Sequence, residues 1–294
     1  MRFGLAVSIA LALVVTGTAT AVDLSKAQFL SSYTWHNKAK WFGGFSAIEM
    51  SDDGRRMTIL SDRAKIATAE VTRQSDAIAS VRITSMNRIH SSKGKALSGR
   101  GGDSEGLAIA PDGSIFISFE GVHRVARYQN PRSKAQVLPI PGAFKGLAEN
   151  GSFEPLAIDR NGHLYTMPES GLTADGRIPV YRWNGRHWSQ PFSLPTHGSF
   201  LPVGADIGPD GRFYLLERSA GVLGFRSQLR RWEFRNGQVS NQEVMFRTGP
   251  GTHDNLEGVS VWRDQTGTLQ ATMVSDDNFL FIQRTELVEY ALPN

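Results

Sequence analysis

Carboxylates at repeated positions are the residues of this chain whose types and spacing could do chemistry. Glu105, Glu154 and Glu257 occupy the same position in similar segments, at the start of a short apolar stretch. A second acidic set follows further along the segments: Asp62, Glu120, Glu169, Glu217 and Asp276. If the fold gathers these acids, their repulsion must be offset. They could pair with arginines or cap strand ends, hold a hard divalent cation such as calcium, or form an acid–base pair.

Arginines and two histidines accompany the acids. Arg63, Arg218 and Arg284 come shortly after acidic residues in the chain, and a guanidinium offers carboxylate or phosphate oxygens a planar fork of donors. His253 precedes the last of the three glutamates, and His123 begins a further strand. Either histidine is a candidate general base or ligand, and a hydrogen-bonded structural role is the alternative for both.

A recurring segment must position these side chains. Each copy has a short apolar stretch, a turn that ends in glycine and a second apolar strand; four of the turns are Asp-Gly or Asn-Gly, which favour tight hairpins. The copies cover residues 45–54, 104–113, 153–162, 202–211 and 256–267. A repeat of roughly 50 residues with about four strands is typical of a propeller blade.

The five copies predict an all-β fold, a single β-propeller of five four-stranded blades, with six blades as the alternative. Residues 27–44 are too few for a blade, so we expect them to supply an outer strand that closes the ring on the last blade. The strand before each turn should line the central channel, and its antiparallel partner ends at the same face. Both acidic sets are therefore expected at one channel mouth.

The N-terminal residues predict export. Arg2, an apolar run from Leu5 to Val15 and the small-residue site Ala19-Thr20-Ala21 are typical of a secretory signal peptide over residues 1–21. The run is too short to span a membrane. We therefore expect a bacterial periplasmic or secreted protein whose propeller domain covers residues 22–294.

Composition excludes several functional classes. The chain has no cysteine, which removes thiol catalysis and cysteine metal sites. It carries no G-x-S-x-G elbow, no H-E-x-x-H zinc motif and no phosphate loop. Its net charge of +4 is a small surplus without the aromatic and basic interleaving of nucleic-acid binders. We expect a monomer that acts on a small molecule, with no nucleic-acid partner and no membrane span.

Several segments in combination resemble the phytase-like family, which is described as having an esterase-like activity of phytase. The likeness runs from about Gly43 to Leu292. Its strongest carriers are Asp254-Asn-Leu-Glu-Gly258, Ser275-Asp-Asp-Asn-Phe279 and Gln283-Arg-Thr285, supported by Gly44-Phe-Ser-Ala-Ile, Ser61-Asp-Arg63, Asp103-Ser-Glu-Gly-Leu107, Phe119-Glu120 with His123-Arg124, and Leu216-Glu-Arg218. The order of these segments makes the resemblance fairly specific.

The resemblance implies a hydrolase of phosphate esters whose active centre lies among the repeated acids. On matching positions it implies active-centre acids at Asp62, Glu105, Glu120, Glu217, Glu257, Asp276 and Asp277. From both sources we assign catalysis to Glu105, Glu257 and His253, and substrate binding to Arg63, Arg218, Arg284 and His123. A divalent cation, with calcium as the first candidate, is assigned to Asp62, Glu120, Glu217, Asp276 and Asp277. The acidic ring is not uniform, because Ser46 and Val203 replace the inner-strand glutamate in two copies.

These assignments describe an exported, metal-assisted phosphoester hydrolase. A non-catalytic periplasmic binding or scaffold propeller is the alternative from another class. A calcium-dependent lactonase or carboxylester hydrolase is a further alternative, and it would need the same cation.

Overall fold

The computed structural model describes residues 25–146 and 153–294, and its elements are almost entirely β-strands. Five antiparallel sheets of four strands each form the blades of one β-propeller, which confirms the predicted fold class and blade number. Short 3-10 helices occur at Gly99–Gly102 and Gly142–Gly146. The predicted signal peptide lies outside the described residues.

The first three blades follow one another along the chain, each with its strands in sequence order from the channel outward. Blade 1 contains β2 (Phe45–Met50), β3 (Arg56–Ser61), β4 (Lys65–Gln74) and β5 (Ala77–Arg88). Blade 2 contains β6 (Ser104–Ile109), β7 (Ile115–Phe119), β8 (Arg124–Tyr128) and β9 (Gln136–Val137). Blade 3 contains β10 (Phe153–Ile158), β11 (Leu164–Pro168), β12 (Arg177–Trp183) and β13 (Trp188–Pro195).

Blade 4 is built in the same way as the first three, whereas blade 5 takes its outer strand from the other end of the chain. Blade 4 contains β14 (Leu201–Ile207), β15 (Phe213–Gly221), β16 (Gly224–Arg235) and β17 (Gln238–Arg247). Blade 5 contains β18 (Asn255–Arg263), β19 (Leu269–Asp276) and β20 (Glu286–Leu292), and its outer strand is β1 (Gln28–Thr34) from the other end of the chain. The predicted closure by the N-terminal segment is therefore confirmed.

The closing strand is held by backbone and aromatic contacts. Strand β1 runs antiparallel to β20, with Tyr33 opposite Leu287. Beyond it, the Trp35 backbone N–H donates to the Thr285 carbonyl over 2.9 Å, and the indole of Trp35 stacks on Phe45 of blade 1. Opening the ring would break this ladder and expose Trp35, which is buried. The first and last strands thus stabilise the same blade.

Burial explains why the second strand of each blade reads as an apolar run. Every residue of β7, β11 and β19 is buried, because both faces of these strands pack against neighbouring blades. The outer strand β5 alternates instead between more and less exposed positions, as expected for a strand with one solvent face. The core therefore lies between the blades.

The inner strands β2, β6, β10, β14 and β18 contact one another in that order and close on β2, so they enclose a channel. Its neck is only about 10 Å³ in volume and is lined by apolar side chains that include Ile48, Leu107, Leu156 and Val259. The neck separates the two mouths of the channel. Within the described residues, no helix is long and apolar enough to cross a bilayer.

Candidate functional site

The acidic mouth, as we call the end where the inner strands begin, is built by equivalent positions of several blades. Glu105 and Glu154 are the second residues of β6 and β10, and Glu257 is the third residue of β18. The pairing register shifts beside each of these glutamates, between Ser104 and Leu107 in blade 2, for example. A bulge of this kind re-aims a side chain, here toward the channel.

Close packing against the neighbouring inner strand explains why glycine follows the glutamate in blades 2 and 5. A Cβ at Gly106 would lie 2.5 Å from the Glu154 carbonyl oxygen, and one at Gly258 would lie 2.7 Å from Cα of Ala47. These are backbone atoms of the neighbouring inner strand, so they cannot move aside cheaply. The Glu-Gly pairs of blades 2 and 5 thus place a carboxylate at the mouth and let the next blade approach closely.

The three inner-strand glutamates are largely, though not completely, shielded from water. Burial raises the pKa of Glu105 well above its ordinary value, and the charges of Glu257, Asp103, Glu120 and Asp62 add to the effect. Burial likewise raises the pKa of Glu154, with a further contribution from Glu169. In each case burial and the neighbouring carboxylates disfavour the charged form, an effect that a bound cation would oppose.

Glu257 is the member of this group with the most partners. Burial raises its pKa to about 7, while Arg218 and Asn255 oppose the rise. Arg218 donates to Glu257 over 2.6 Å and to Glu169 over 3.0 Å, and it also donates to the Asn255 amide oxygen over 2.7 Å. One guanidinium from blade 4 therefore links carboxylates of the two adjacent blades.

The ends of the second strands bring further acids to the same mouth, as predicted. Burial raises the pKa of Asp62 to about 6 and that of Asp276 to about 8, and Glu257 adds to the rise at Asp276. Asp103 joins them from the loop before β6, where burial and the charge of Glu120 raise its pKa. The acidic sets therefore meet, as the strand argument required.

One group of carboxylates has the geometry of a cation site. Oxygen atoms of Asp103, Glu105 and Glu120, one from each side chain, all lie within 4.8 Å of one another. Two oxygens that each lie about 2.4 Å from one calcium ion are at most about 4.8 Å apart. Carboxylate oxygens are also the donors that hard cations prefer. These three residues therefore fit a divalent cation.

Glu217 does not reach the mouth. Its side chain is fully buried on the other face of β15, where Arg230 donates to both carboxylate oxygens over 2.5 and 2.6 Å and Gln228 donates over 2.7 Å. Its neighbour Arg218 points to the mouth instead, because side chains alternate along a strand. All of the carboxylate's partners lie within blade 4. Glu217, which the sequence assigned to the cation, therefore forms an ion pair inside the blade.

His253 lies inside blade 5 rather than beside Glu257. Its Nε2 lies 2.9 Å from the Tyr290 hydroxyl, and its ring stacks on Phe29 of the closing strand. Burial lowers its pKa to about 4, and Arg284 adds to the effect. A neutral, buried imidazole held in this way has a structural role in the blade.

Two predicted site residues in the loop between β19 and β20, Asp277 and Arg284, bond to residues that fix the position of this loop. Asp277 accepts hydrogen bonds from the backbone N–H of Gly44 over 2.9 Å and from the Thr285 hydroxyl over 3.0 Å. Arg284 is half-exposed and forms ion pairs with Glu286 and, at 3.9 Å, with Asp254. Neither residue is brought into the acidic group around Glu105.

The two remaining predicted residues lie near the edge of the mouth. The Nδ1 atom of His123 lies 3.3 Å from the carbonyl oxygen of Phe144, so its contact is with the 3-10 helix Gly142–Gly146. The exposed Arg63 follows Asp62, and its guanidinium carbon lies 3.4 Å from the centre of the Phe279 ring. Phe279 has a φ of 52°, a strained value for a bulky residue. Arg63 is thus held at the edge by stacking.

Asp103 is the site residue that the sequence assignment left out. It lies in the Asp-Ser-Glu segment that carried the family resemblance, two residues before Glu105. That spacing was a signal that both side chains face the same way. Glu154 and Glu169 were placed at the mouth by the repeat but given no role, and the structure adds them as partners of Arg218.

The opposite mouth opens into a larger cavity of about 1050 Å³, lined by the segments that lead into the Asp-Gly and Asn-Gly turns. Its two innermost acids have structural partners: Asp206 accepts from the Val261 backbone N–H over 2.6 Å, and Glu49 accepts from that of Ile109. Each therefore bonds the next blade. The cavity is larger at this end of the channel, and burial and the charge of Asp206 also raise the pKa of Glu49 there. We place the site at the acidic mouth because three carboxylates, those of Asp103, Glu105 and Glu120, come within 4.8 Å of one another there.

A five-bladed propeller with buried carboxylates converging at one mouth is the class that fold and site define. The sequence model of the Phytase-like family, described as "esterase-like activity of phytase", matches residues 40–279. The chain therefore belongs to the Phytase-like family. No curated protein matches it significantly.

Solved structures share the fold at low identity. The catalytic domain of a GH62 α-L-arabinofuranosidase from Coprinopsis cinerea is 13% identical with a TM-score of 0.55, over 91% of this chain and 98% of that one. A gluconolactonase from Xanthomonas campestris is 14% identical with a TM-score of 0.50, over 95% of this chain and 84% of that one. At these identities the likeness concerns the fold alone.

Proposed function

We propose that the chain is an exported hydrolase of phosphate esters that works with a divalent cation at the acidic mouth. One observation carries the proposal: Asp103, Glu105 and Glu120 present oxygen atoms within 4.8 Å of one another. Membership of a family described by an esterase-like activity supports the reaction class. Export rests on the N-terminal sequence pattern.

The electrostatics support a cation rather than a set of bare acids. The charges that act most strongly on Glu105 are four carboxylates, and all of them raise its pKa. A cation held by Asp103, Glu105 and Glu120 would reverse that effect and keep the three groups ionised. When bound, such a cation supplies polarisation of a phosphoryl oxygen and a lower pKa for a ligated water.

The residues of the chain provide proton transfer and orientation. Glu257 has a pKa of about 7, so at neutral pH it can accept a proton from water or return one to a leaving oxygen. Arg218 and Asn255 both hydrogen-bond Oε1 of Glu257, over 2.6 and 2.8 Å, which leaves Oε2 for the proton. The acid–base group is thus fixed in orientation.

Phosphate recognition falls to the edge of the mouth. Arg63 is exposed, and its stacking on Phe279 covers one face of the guanidinium and leaves its N–H donors in the plane. In-plane donors are the ones that bind phosphate oxygens in pairs. Arg218 is instead committed to Glu169 and Glu257, so we assign it to positioning.

The test is calcium binding followed by turnover. The purified mature protein, stripped with a chelator, is titrated with calcium in a calorimeter and then assayed on a phosphomonoester, a phosphodiester and a lactone. We expect one tight site, turnover of a phosphate ester that the chelator abolishes, and loss of both in Glu105→Gln. The matched control is Asp112→Asn, an exposed turn acid of the same blade at the opposite mouth, which should change neither.

Other outcomes reassign the protein. Chelator-sensitive turnover of the lactone alone would identify a calcium-dependent lactonase or carboxylester hydrolase. Absence of calcium binding in the native protein would refute the cation site. Binding without turnover of any substrate would refute the hydrolase and favour a binding or scaffold propeller.

A further inference from the structure

Exposed large apolar side chains gather on the face that carries the acidic mouth. They lie in the connections between the second and third strands of blades 2 to 5. We call six of them the tip residues: Val122, Leu172, Val222, Leu223, Phe281 and Ile282. Their exposed fractions run from 49% to 104%, so none is covered by the described part of the chain. Singly exposed apolar residues are ordinary, but one on each of four neighbouring loops is a pattern.

The tip residues project beyond the mouth. In blade 4, Arg218 lies at the mouth, and the hairpin continues until Gly221 pairs with Gly224 across a two-residue turn. Val222 and Leu223 form that turn and are 104% and 79% exposed. Three further strand residues extend roughly 10 Å. The hairpin therefore holds two apolar side chains well above the site.

On this face, arginines are exposed to solvent, whereas the carboxylates of the acidic mouth lie deeper. Arg63, Arg247 and Arg284 are exposed on loops or strand ends around the mouth. The carboxylates are recessed, since the Glu257 side chain is 13% exposed against 53% for Arg284. An approaching surface thus meets arginines, apolar tips and the exposed Asp175 before it meets the carboxylates of the acidic mouth. That order favours an anionic surface.

We infer that this face docks on an anionic lipid surface, with the tip residues inserted among the headgroups and the acidic mouth turned toward the lipid. Separate apolar side chains on independent loops suit a fluid interface, whereas a protein partner needs one contiguous, well-packed patch. Arginines beside the tips match anionic headgroups. Docking would bring the site to amphiphilic molecules at the surface, but it does not depend on the proposed hydrolysis.

The experiment is co-sedimentation of the mature protein with vesicles of phosphatidylcholine alone or mixed with phosphatidylglycerol. We expect binding to the anionic vesicles, weaker binding as salt rises, and little binding to pure phosphatidylcholine. Phe281→Ser should weaken binding about tenfold, and Val222→Ser combined with Leu223→Ser by a similar factor. The matched control is Val137→Ser, which removes a 43% exposed valine from the outer strand of blade 2.

Urea unfolding of each variant checks that these surface changes leave the fold intact. Binding is measured without a substrate, so an inactive protein can still confirm the docking surface. Failure of the wild-type protein to bind anionic vesicles at low salt would overturn the inference, as would equal binding by Phe281→Ser and wild type. A dimer in sedimentation that Phe281→Ser dissociates would also overturn it, in favour of a second copy on this face.

Discussion

Raising the pH from about 6.5 to about 8.5 in the presence of a chelator should destabilise this protein by about 3 kcal/mol. Burial raises the pKa of Asp276 to about 8 and that of Glu257 to about 7, whereas both groups ionise below about pH 5 in an unfolded chain. Across this window the folded state therefore binds more protons than the unfolded state, and stability falls as pH rises.

These two carboxyls alone give the magnitude of about 3 kcal/mol, and Glu105 and Glu154, whose pKa values burial also raises, would add to the loss. Integrated over the window, Asp276 contributes about 2 kcal/mol and Glu257 about 1 kcal/mol of lost stability. His253 acts in the opposite direction, because its pKa of about 4 keeps it neutral when folded. An unfolded histidine is only half-protonated at about pH 6.5, which limits this term to about 0.4 kcal/mol. The carboxyls therefore decide the sign.

Urea unfolding followed by tryptophan fluorescence measures the effect at both pH values. Asp276→Asn should reduce the loss of stability over this window by about 2 kcal/mol, whereas the exposed Asp112→Asn should leave it unchanged. Calcium at about a hundred times its dissociation constant should restore about 2.7 kcal/mol at the higher pH. Equal stability at both pH values in chelator would refute the reasoning, because it would mean that the mouth carboxyls ionise freely when folded.

Two further predictions concern the frame of the site and use the same unfolding assay. Glu217→Gln should lower the free energy of unfolding by about 3 to 5 kcal/mol, because it leaves the buried guanidinium of Arg230 without its counter-charge. An unchanged urea midpoint would show that the ion pair is not formed in solution. Gly258→Ala should lower the free energy of unfolding by about 2 kcal/mol, since its Cβ would meet the Cα of Ala47 at 2.7 Å. Gly101→Ala is the control, because a Cβ there would have no atom within 4 Å. Equal losses of stability in both variants would contradict the close approach of the strands at Gly258.

The sequence predicted the blades because each copy carries its own local signals. The turn glycines at positions 54, 113, 162 and 211 all have positive φ, and the second strands begin within a few residues of them. These signals depend on neighbouring residues alone, so they can be read without the fold. Closure by β1 was predictable for another reason, because residues 27–44 were too few to form a blade of their own.

The sequence predicted at which strand ends the site residues lie, but not which of their side chains face the channel. Antiparallel pairing places Glu217 and Arg218 at the correct mouth, but it does not say which of the two faces the channel. The pairing register of the inner strand β14 shifts between Pro202 and Gly204, and such irregularities remove any simple count of alternation. The position of His253 inside blade 5 was not predictable for a related reason, because its nearness to Glu257 in sequence does not show in which direction its side chain turns.

The departures from the acidic repeat show how the mouth is divided. Blade 4 has Val203 where its neighbours have glutamate, and its second strand supplies Arg218, which pairs with acids of blades 3 and 5. That half of the mouth carries its own counter-charge. Around Glu105, in contrast, the strongest charges are carboxylates from blades 1, 2 and 5. Because the Arg218 guanidinium neutralises one half of the mouth and the other half concentrates acids, we expect the proposed cation to bind in the second half, at Asp103, Glu105 and Glu120.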